Sequence, residues 1–228
     1  MGKHQAVIHV DISVLLPLRD AESSVASLVQ TAQSVHAKVS SRHHANGRAL
    51  ALEILALDER SGDNTSSMLS VLHGQHAQLR TLQDLDRGSA LRCAARLARG
   101  DVWLVFDRPV SVDLAAWAVG QVIVGQRAAI VPGEILAIHR SVGVDVLRTL
   151  DGGLAVAQRV VARYLRRLGE TPAHCPAPAA TRLDRARVFL RGQSGRVGLG
   201  FLDRPTPTTG DGAATASRDA SILRRRLL

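Results

Sequence analysis

Short apolar runs alternate along this chain with longer stretches in which apolar positions recur at helical spacing. Ile12-Ser13-Val14-Leu15-Leu16 is a compact run ended by Pro17 and reads as a buried parallel strand. Val25, Leu28, Val29, Ala32 and Val35 then repeat at three- and four-residue intervals, predicting an amphipathic helix with Ser23 or Ser24 as its cap. Residues 40–48 are polar and predict an exposed loop. Ala51 to Leu57 is a second strand ending at Asp58, and Asp63-Asn64-Thr65 opens a helix through Leu72. Gln78 to Leu82 is a third strand, Gly88 to Ala98 a helix, and Val102 to Phe106 a fourth strand delivering Asp107 at its end. Ser111 is the expected cap of the next helix, which carries Trp117 on its apolar side.

Beyond Gly125 the rhythm changes. Ala128 to Val131 and Ile135 to Ile138 are short strands flanking Pro132-Gly133, expected near a sheet edge. Val142 to Leu150 and Leu154 to Leu168 read as helices, separated by Asp151-Gly152-Gly153. The repeated order of strand then helix predicts an α/β single domain, with a mostly parallel central sheet and helices on both faces. Its expected bounds are residues 11–202, after an N-terminal arm of residues 1–10. A composition shift to Thr, Gly, Pro, Ala and Ser marks residues 203–228 as a flexible C-terminal tail.

Composition adds charge and compartment to this picture. A hydrophobic share of 46% suffices for a core, while aromatics at 3% leave it to Ala, Val and Leu. Cys93 and Cys175 stand far apart without a metal-ligand partner pattern, which argues against a disulfide framework or a zinc site and for a reducing, cytoplasmic setting. The N-terminus lacks a signal-peptide core, and no run approaches the length of a membrane span. A net charge of +9 favours anionic partners. Arg159, Arg163, Arg166, Arg167, Arg182, Arg185, Arg187, Arg191 and Arg196 concentrate it in one stretch. That stretch suits an anionic lipid or the inner face of a membrane, or simply a solvated basic face. Nucleic acid is disfavoured because interleaved aromatics are missing.

Candidate chemistry follows from the strand ends, because ligands of open α/β sheets collect at the carboxyl ends of strands. Asp107, followed by Arg108 and Pro109, is the first such carboxylate, and Asp58 is the second.

In four segments, in order, the chain resembles the family 2 glycosyltransferases, nucleotide-sugar-dependent enzymes of the GT-A fold that include dolichol-phosphate mannosyltransferase-like proteins. The resemblance runs from about Ile12 to about Gly169. Ser13-Val14-Leu15-Leu16-Pro17-Leu18-Arg19-Asp20-Ala21-Glu22 matches the family's first strand, proline and following acidic turn. Glu53 to Thr65 matches a strand followed by Asp-Asp-Gly-Ser-x-Asp-x-Thr, with Asp58, Ser61, Asp63 and Thr65 in place. Arg87-Gly88 stands where the family has a Gly-Lys-Gly-type turn, with Arg92 at the usual asparagine. Val102 to Pro109 stands at the Asp-x-Asp signature: Asp107 matches the first aspartate and Pro109 replaces the second.

The resemblance implies sugar transfer from a UDP- or GDP-sugar to an unidentified acceptor. Asp58 would contact the base, and Pro17, Arg19, Asp20, Arg87, Gly88 and Arg108 would line the nucleotide site. Asp107 would hold Mg²⁺ or Mn²⁺ on the diphosphate, one carboxylate sufficing where phosphate and water complete the shell. Arg108 either repels such an ion or partly replaces it by pairing with phosphate. For the catalytic base, normally supplied by an acidic motif opening the late helix, the nearest carboxylates are Asp151 and Glu134. Local readings stand beside these: Asp63 as a helix cap, Asp151 as a turn residue. Two other readings follow from the departures and from the charge: a catalytically inactive glycosyltransferase-like binding or scaffold protein, and a basic nucleic-acid-binding α/β protein.

Overall fold

The computed structural model describes residues 10–43 and 50–175. The expected tail at 203–228, most of the N-terminal arm and the arginines from Arg182 onward lie outside the described residues. Among the described residues, seven strands form one sheet: β1 (Ile12–Leu18), β2 (Leu52–Asp58), β3 (Leu79–Leu82), β4 (Val102–Val105), β5 (Ala128–Val131), β6 (Ile135–His139) and β7 (Ala173–His174). Their spatial order is β3-β2-β1-β4-β6-β5-β7. β1 pairs in parallel with β2 and β4, and β2 with β3, while β6 runs antiparallel to both β4 and β5. Six helices among the described residues connect the strands: α1 (Val25–Arg42), α2 (Thr65–Gln75), α3 (Ala90–Leu97), α4 (Val112–Ile123), α5 (Arg140–Leu147) and α6 (Leu154–Arg167). None of the described helices is long and apolar enough to cross a membrane.

The two-residue period of a strand divides the core into two layers. Ile12, Val14, Leu16 and Leu18 of β1 meet Val25, Leu28, Val29, Ala32 and Val35 of α1, together with apolar residues of α2 and α4. Leu15 faces the other way, into a cluster built from α3, α5 and α6 around Trp103. Helices therefore cover both faces, as the strand-helix rhythm predicts. Packing on the second face is tight: a Cβ on Gly143 would come 2.3 Å from the Trp103 ring. Trp103 is fully buried, and its indole N–H donates to the Gly100 carbonyl at 2.8 Å.

Several elements depart from the sequence expectation, each for a physical reason. β1 continues through Pro17 to Leu18 instead of stopping at the proline. The Leu18 carbonyl accepts from Glu59 N–H at 2.9 Å, so Pro17, one residue earlier, faces β4. Pairing with β4 has already ended there, at Leu15 and Val105, and the missing N–H costs no ladder bond. α1 extends to Arg42 into the expected loop, of which residues 44–49 lie outside the described residues. Ser24 occupies the N-cap of α1 but makes no side-chain cap bond, its hydroxyl turning back to the Ala21 carbonyl at 3.3 Å. Ser111 does cap α4, accepting from Leu114 N–H. β7 has only two residues, too few for any periodicity, and is defined by its pairing with β5.

The amino-terminal edge of the sheet is tied by a buried carboxylate. Glu53, 3% exposed, accepts from the Ser13 hydroxyl and the Arg99 backbone N–H, both at 2.5 Å, and from the Arg80 guanidinium at 3.1 Å. The Ser13 oxygen in turn accepts from Gly100 N–H at 2.7 Å. A Cβ on Gly100 would lie 2.5 Å from Ser13 N, so this close approach requires glycine. Burial pushes the Glu53 carboxyl up, but the Arg99 N–H, the Ser13 hydroxyl and the Arg80 guanidinium together outweigh it and leave the group below its ordinary 4.5. A depressed folded value means stability that is present above the ordinary value and lost as pH falls through the folded one. Glu53→Gln is expected to destabilise by about 1–3 kcal/mol at neutral pH and to flatten the acid limb of Tm against pH. A variant as acid-sensitive as the parent would contradict this role.

Candidate functional site

The order β3-β2-β1-β4 places a topological switch point between β1 and β4. From β1 the chain steps by α1 to β2 and by α2 to β3; it then crosses back over the opposite face through α3 to β4. The helices that leave the carboxyl ends of β1 and β4, α1 and α4, pack on the same face, so the crevice between these strands comes from their unequal lengths. The register locates it. Leu16, Pro17 and Leu18 pair with β2 alone, after β4 has ended opposite Leu15. A cleft of about 390 Å³ opens there, lined by Pro17, Leu18 and Arg19 from β1, Glu59 from the end of β2, Asp107 and Arg108 from the end of β4, and Gly153 at the start of α6.

Interlocked loops build one wall. Ser61 Oγ accepts from Asp20 N–H at 2.9 Å, and Asp20 Oδ1 accepts from Gly62 N–H at 2.7 Å. Thr65 Oγ1 accepts from Ala21 N–H at 2.8 Å, Asp63 Oδ2 from Glu22 N–H at 3.0 Å, and Glu22 Oε1 from Asn64 Nδ2 at 3.0 Å. The β1–α1 and β2–α2 loops thus bind each other reciprocally, which supports Asp20 at a φ of 47°. The Thr65 hydroxyl, followed by the Glu22 N–H, holds the Asp63 carboxyl below the ordinary carboxylate value.

The residues singled out in the sequence fall into separate places. Pro17, Arg19, Asp107 and Arg108 converge on the cleft. Asp20 is engaged in the loop latch. Asp58 is 3% exposed, its Oδ1 accepting from both the backbone N–H (3.2 Å) and the hydroxyl of Ser61. It organises the turn, and its neighbour Glu59 reaches the cleft. Glu59 Oε1 accepts from Ala90 N–H at 3.0 Å, in the first turn of α3. Arg87 is exposed, and Gly88 (φ 78°) accepts at its carbonyl from Gly152 N–H at 2.8 Å. Asp151, in the adjoining turn, pairs with Arg92 at 2.7 Å. Glu134 is exposed on the β5–β6 turn, which antiparallel pairing of Val105 with Leu136 brings to the same sheet end as Asp107. Buried Gln158 fixes that turn, donating to the Val131 and Ile135 carbonyls and accepting from Gly133 N–H, each at 2.9 Å. A larger cavity of about 550 Å³ includes Asp11, Arg42, His43, Asp101 and His139. It lies at the opposite sheet end, away from the strand-end carboxylates Asp58 and Asp107, so the switch-point cleft is the candidate site.

No family model matches the chain, and no curated protein matches it by sequence. Solved structures match its fold. The mannosyltransferase PcManGT from Pyrobaculum calidifontis, solved with GDP-Man and Mn²⁺, is 18% identical with a TM-score of 0.54, the match covering 82% of this chain and 62% of that one. Mannosyl-3-phosphoglycerate synthase from Rubrobacter xylanophilus is 17% identical with a TM-score of 0.50, the match covering 86% and 78%. The fold is that of the GT-A nucleotide-diphospho-sugar transferases. This GT-A chain spans about three-fifths of the Pyrobaculum enzyme's length. At these identities the likeness establishes architecture, and the narrower family 2 assignment stays with the sequence motifs.

Within the GT-A cleft, the residues present do not fit a resident divalent ion. Asp107 is a single carboxylate whose Oδ1 accepts from Arg108 Nε at 2.9 Å, and Pro109 has no side-chain donor. Glu59 is engaged with α3. Among the described residues, no group of three or more His, Cys, Asp or Glu side chains is placed to hold a metal ion. Leu18, Glu59 and Gly153 of the cleft, and Gln158 behind the β5–β6 turn, are residues that sequence reasoning passed over. Two of them carried a signal: Glu59 is an acid directly beyond the strand-end Asp58, and Gln158 is a polar residue at a core-facing position of α6 between Leu154, Ala157 and Val161.

The loop latch is directly testable. Thr65→Val preserves shape but strands the buried hydroxyl's partners, Ala21 N–H and Asp63, and is expected to cost about 1–3 kcal/mol in urea unfolding. A change below a few tenths would show that the latch contributes nothing.

Proposed function

We propose that this chain is a nucleotide-sugar-dependent glycosyltransferase that takes its donor in the switch-point cleft. The observation that carries this reading is the convergence of Arg19, Asp107 and Arg108 at the β1–β4 crevice of a GT-A fold. Guanidinium groups suit a diphosphate because they donate in a fixed fork. Gly153, at the N-cap of α6, brings the positive end of that helix dipole to the same cleft. A UDP- or GDP-sugar is the donor class, Asp58 and Glu59 at the end of β2 lie toward the base, and Arg87 is an outer phosphate contact. Mg²⁺ or Mn²⁺ at Asp107 enters through the motif resemblance and through the Mn²⁺ of the Pyrobaculum structure; the donor set gives it little support. For the acceptor hydroxyl, Glu134 is the better-supported base, since Asp151 is engaged by Arg92.

Calorimetry or thermal shift with UDP, GDP and their sugars, with and without Mn²⁺, is expected to show saturable binding that stabilises in proportion to ligand concentration over Kd. Absence of binding to folded protein under every condition would sink the reading. A second reading, a glycosyltransferase-like binding module without turnover, is favoured by the Asp151–Arg92 ion pair. Donor hydrolysis or transfer at a detectable rate excludes it, and loss of that turnover in Glu134→Gln is the expected result if Glu134 is the base. The exposed face of α6 carries Arg159, Arg163, Arg166 and Arg167, and supports an anionic lipid surface as the place of action. Co-sedimentation with phosphatidylserine vesicles, lost at high salt, is the expected result; equal binding to neutral vesicles would contradict it.

A further inference from the structure

We infer that Arg108, oriented by Asp107, takes the place of the divalent ion at the donor diphosphate, so that nucleoside diphosphate binding in this cleft requires no metal. The inference rests on the proposed nucleotide-sugar reading and specifies how that site holds its ligand.

Its first support is the ion pair itself. Asp107 is the strand-end carboxylate that would ligate an ion, and its Oδ1 lies 2.9 Å from Arg108 Nε. An ion at that oxygen would have to displace a guanidinium held one residue away in sequence. The second support is what the pair leaves free. Arg108 meets Asp107 through Nε, so the four N–H groups of its two terminal nitrogens remain directed elsewhere. Its side chain is 63% exposed and lines the cleft, which leaves those donors within reach of an entering anion. A guanidinium anchored at Nε has already given up part of its rotamer freedom, so less is lost on binding phosphate.

The third support is the company it keeps. Arg19 lines the same cleft from the end of β1, 43% exposed, with Asp20 at 3.7 Å. The carboxylates of the cleft are each engaged through one oxygen: Asp107 Oδ1 by Arg108, and Glu59 Oε1 by Ala90 N–H at the start of α3. With Pro109 donating nothing, the donors in the cleft that suit an anion are the two guanidiniums.

Titration calorimetry of the full chain with GDP and UDP tests this, first in EDTA and then with Mg²⁺ or Mn²⁺. Affinity is expected to change by no more than about twofold across these conditions. Arg108→Ala is expected to weaken binding in EDTA about tenfold to a hundredfold, the range for charge-assisted hydrogen bonds to phosphate. Arg108→Lys is expected to recover part of that loss, because charge is kept and the fork is not. Asp107→Asn is expected to weaken binding several-fold and equally with and without metal. The inference is overturned if the parent binds only with a divalent ion, or if Asp107→Asn abolishes binding while Arg108→Ala leaves it intact. If neither nucleotide binds folded parent protein in any condition, the nucleotide reading falls and this inference with it, a pattern distinct from the other two. Arg108 is surface-exposed, so its variants are expected to keep the parent Tm, which a circular-dichroism melt verifies.

Discussion

The cleft depends on one constraint: β1 is held in parallel register between β2 and β4, but outruns β4 by three residues. Were β4 to continue pairing beyond Val105, Phe106 and Asp107 would lie against Leu16 and Pro17 and no gap would exist. The strand ends instead where the chain turns after Val105 toward α4, which packs on the face of α1. Phe106, fully buried though beyond the strand, anchors the point of divergence in the α1–α4 layer. The cleft residues from β1 and β4, Pro17, Leu18, Arg19, Asp107 and Arg108, are positioned by this difference in strand length.

Both ends of β1 are also fixed by polar networks, and the two differ in kind. At the amino end Glu53 is buried and surrounded by donors, an arrangement in which a carboxylate is stable only because every lone pair direction is used. At the carboxyl end the latch between the β1–α1 and β2–α2 loops is largely exposed, and its bonds run mostly from backbone N–H groups to side-chain oxygens. Loops crossing a sheet end cannot satisfy their N–H groups within a ladder, so short Ser, Thr, Asp and Asn side chains supply the acceptors. The run Asp58-Glu59-Arg60-Ser61-Gly62-Asp63-Asn64-Thr65 therefore has a complete structural occupation as well as its position beside the cleft. Asp58, whose Oδ1 accepts from Ser61, shapes the turn beside which Glu59 lines the cleft.

The sequence was most legible where period and strand ends coincide. β1, β2 and β4 are each dominated by a short apolar run, and Asp58 and Asp107 mark two carboxyl ends. What could not be read was decided by partners distant in sequence. The direction of β6 depends on a tight turn at Pro132-Gly133-Glu134, which Gln158 secures from a helix more than twenty residues away. The extension of β1 through Pro17 depends on where β4 stops. The Asp107–Arg108 pair was implicit in adjacency, yet adjacent residues in a strand point to opposite faces; their contact requires the chain to have left the strand, as it has after Val105.

Charge in the cleft gives the consequence of that departure. A divalent ion bound by one aspartate presents a net charge of about +1 to a diphosphate, with the rest of its shell supplied by water and phosphate. Arg108 beside Asp107 is close to neutral as a pair, and Arg19 on the other wall is offset by Glu59, so the charged groups lining the cleft sum to about zero. The two arrangements differ in net charge and also in form. An ion concentrates charge at a point and polarises oxygen as a Lewis acid, whereas two guanidiniums spread it over donors of fixed direction. The first arrangement varies with ion concentration and stabilises a departing diphosphate strongly; the second is built into the chain and binds diphosphate by geometry. With guanidiniums in place of an ion, the proposed transfer would draw more of its barrier lowering from positioning the acceptor than from electrophilic assistance.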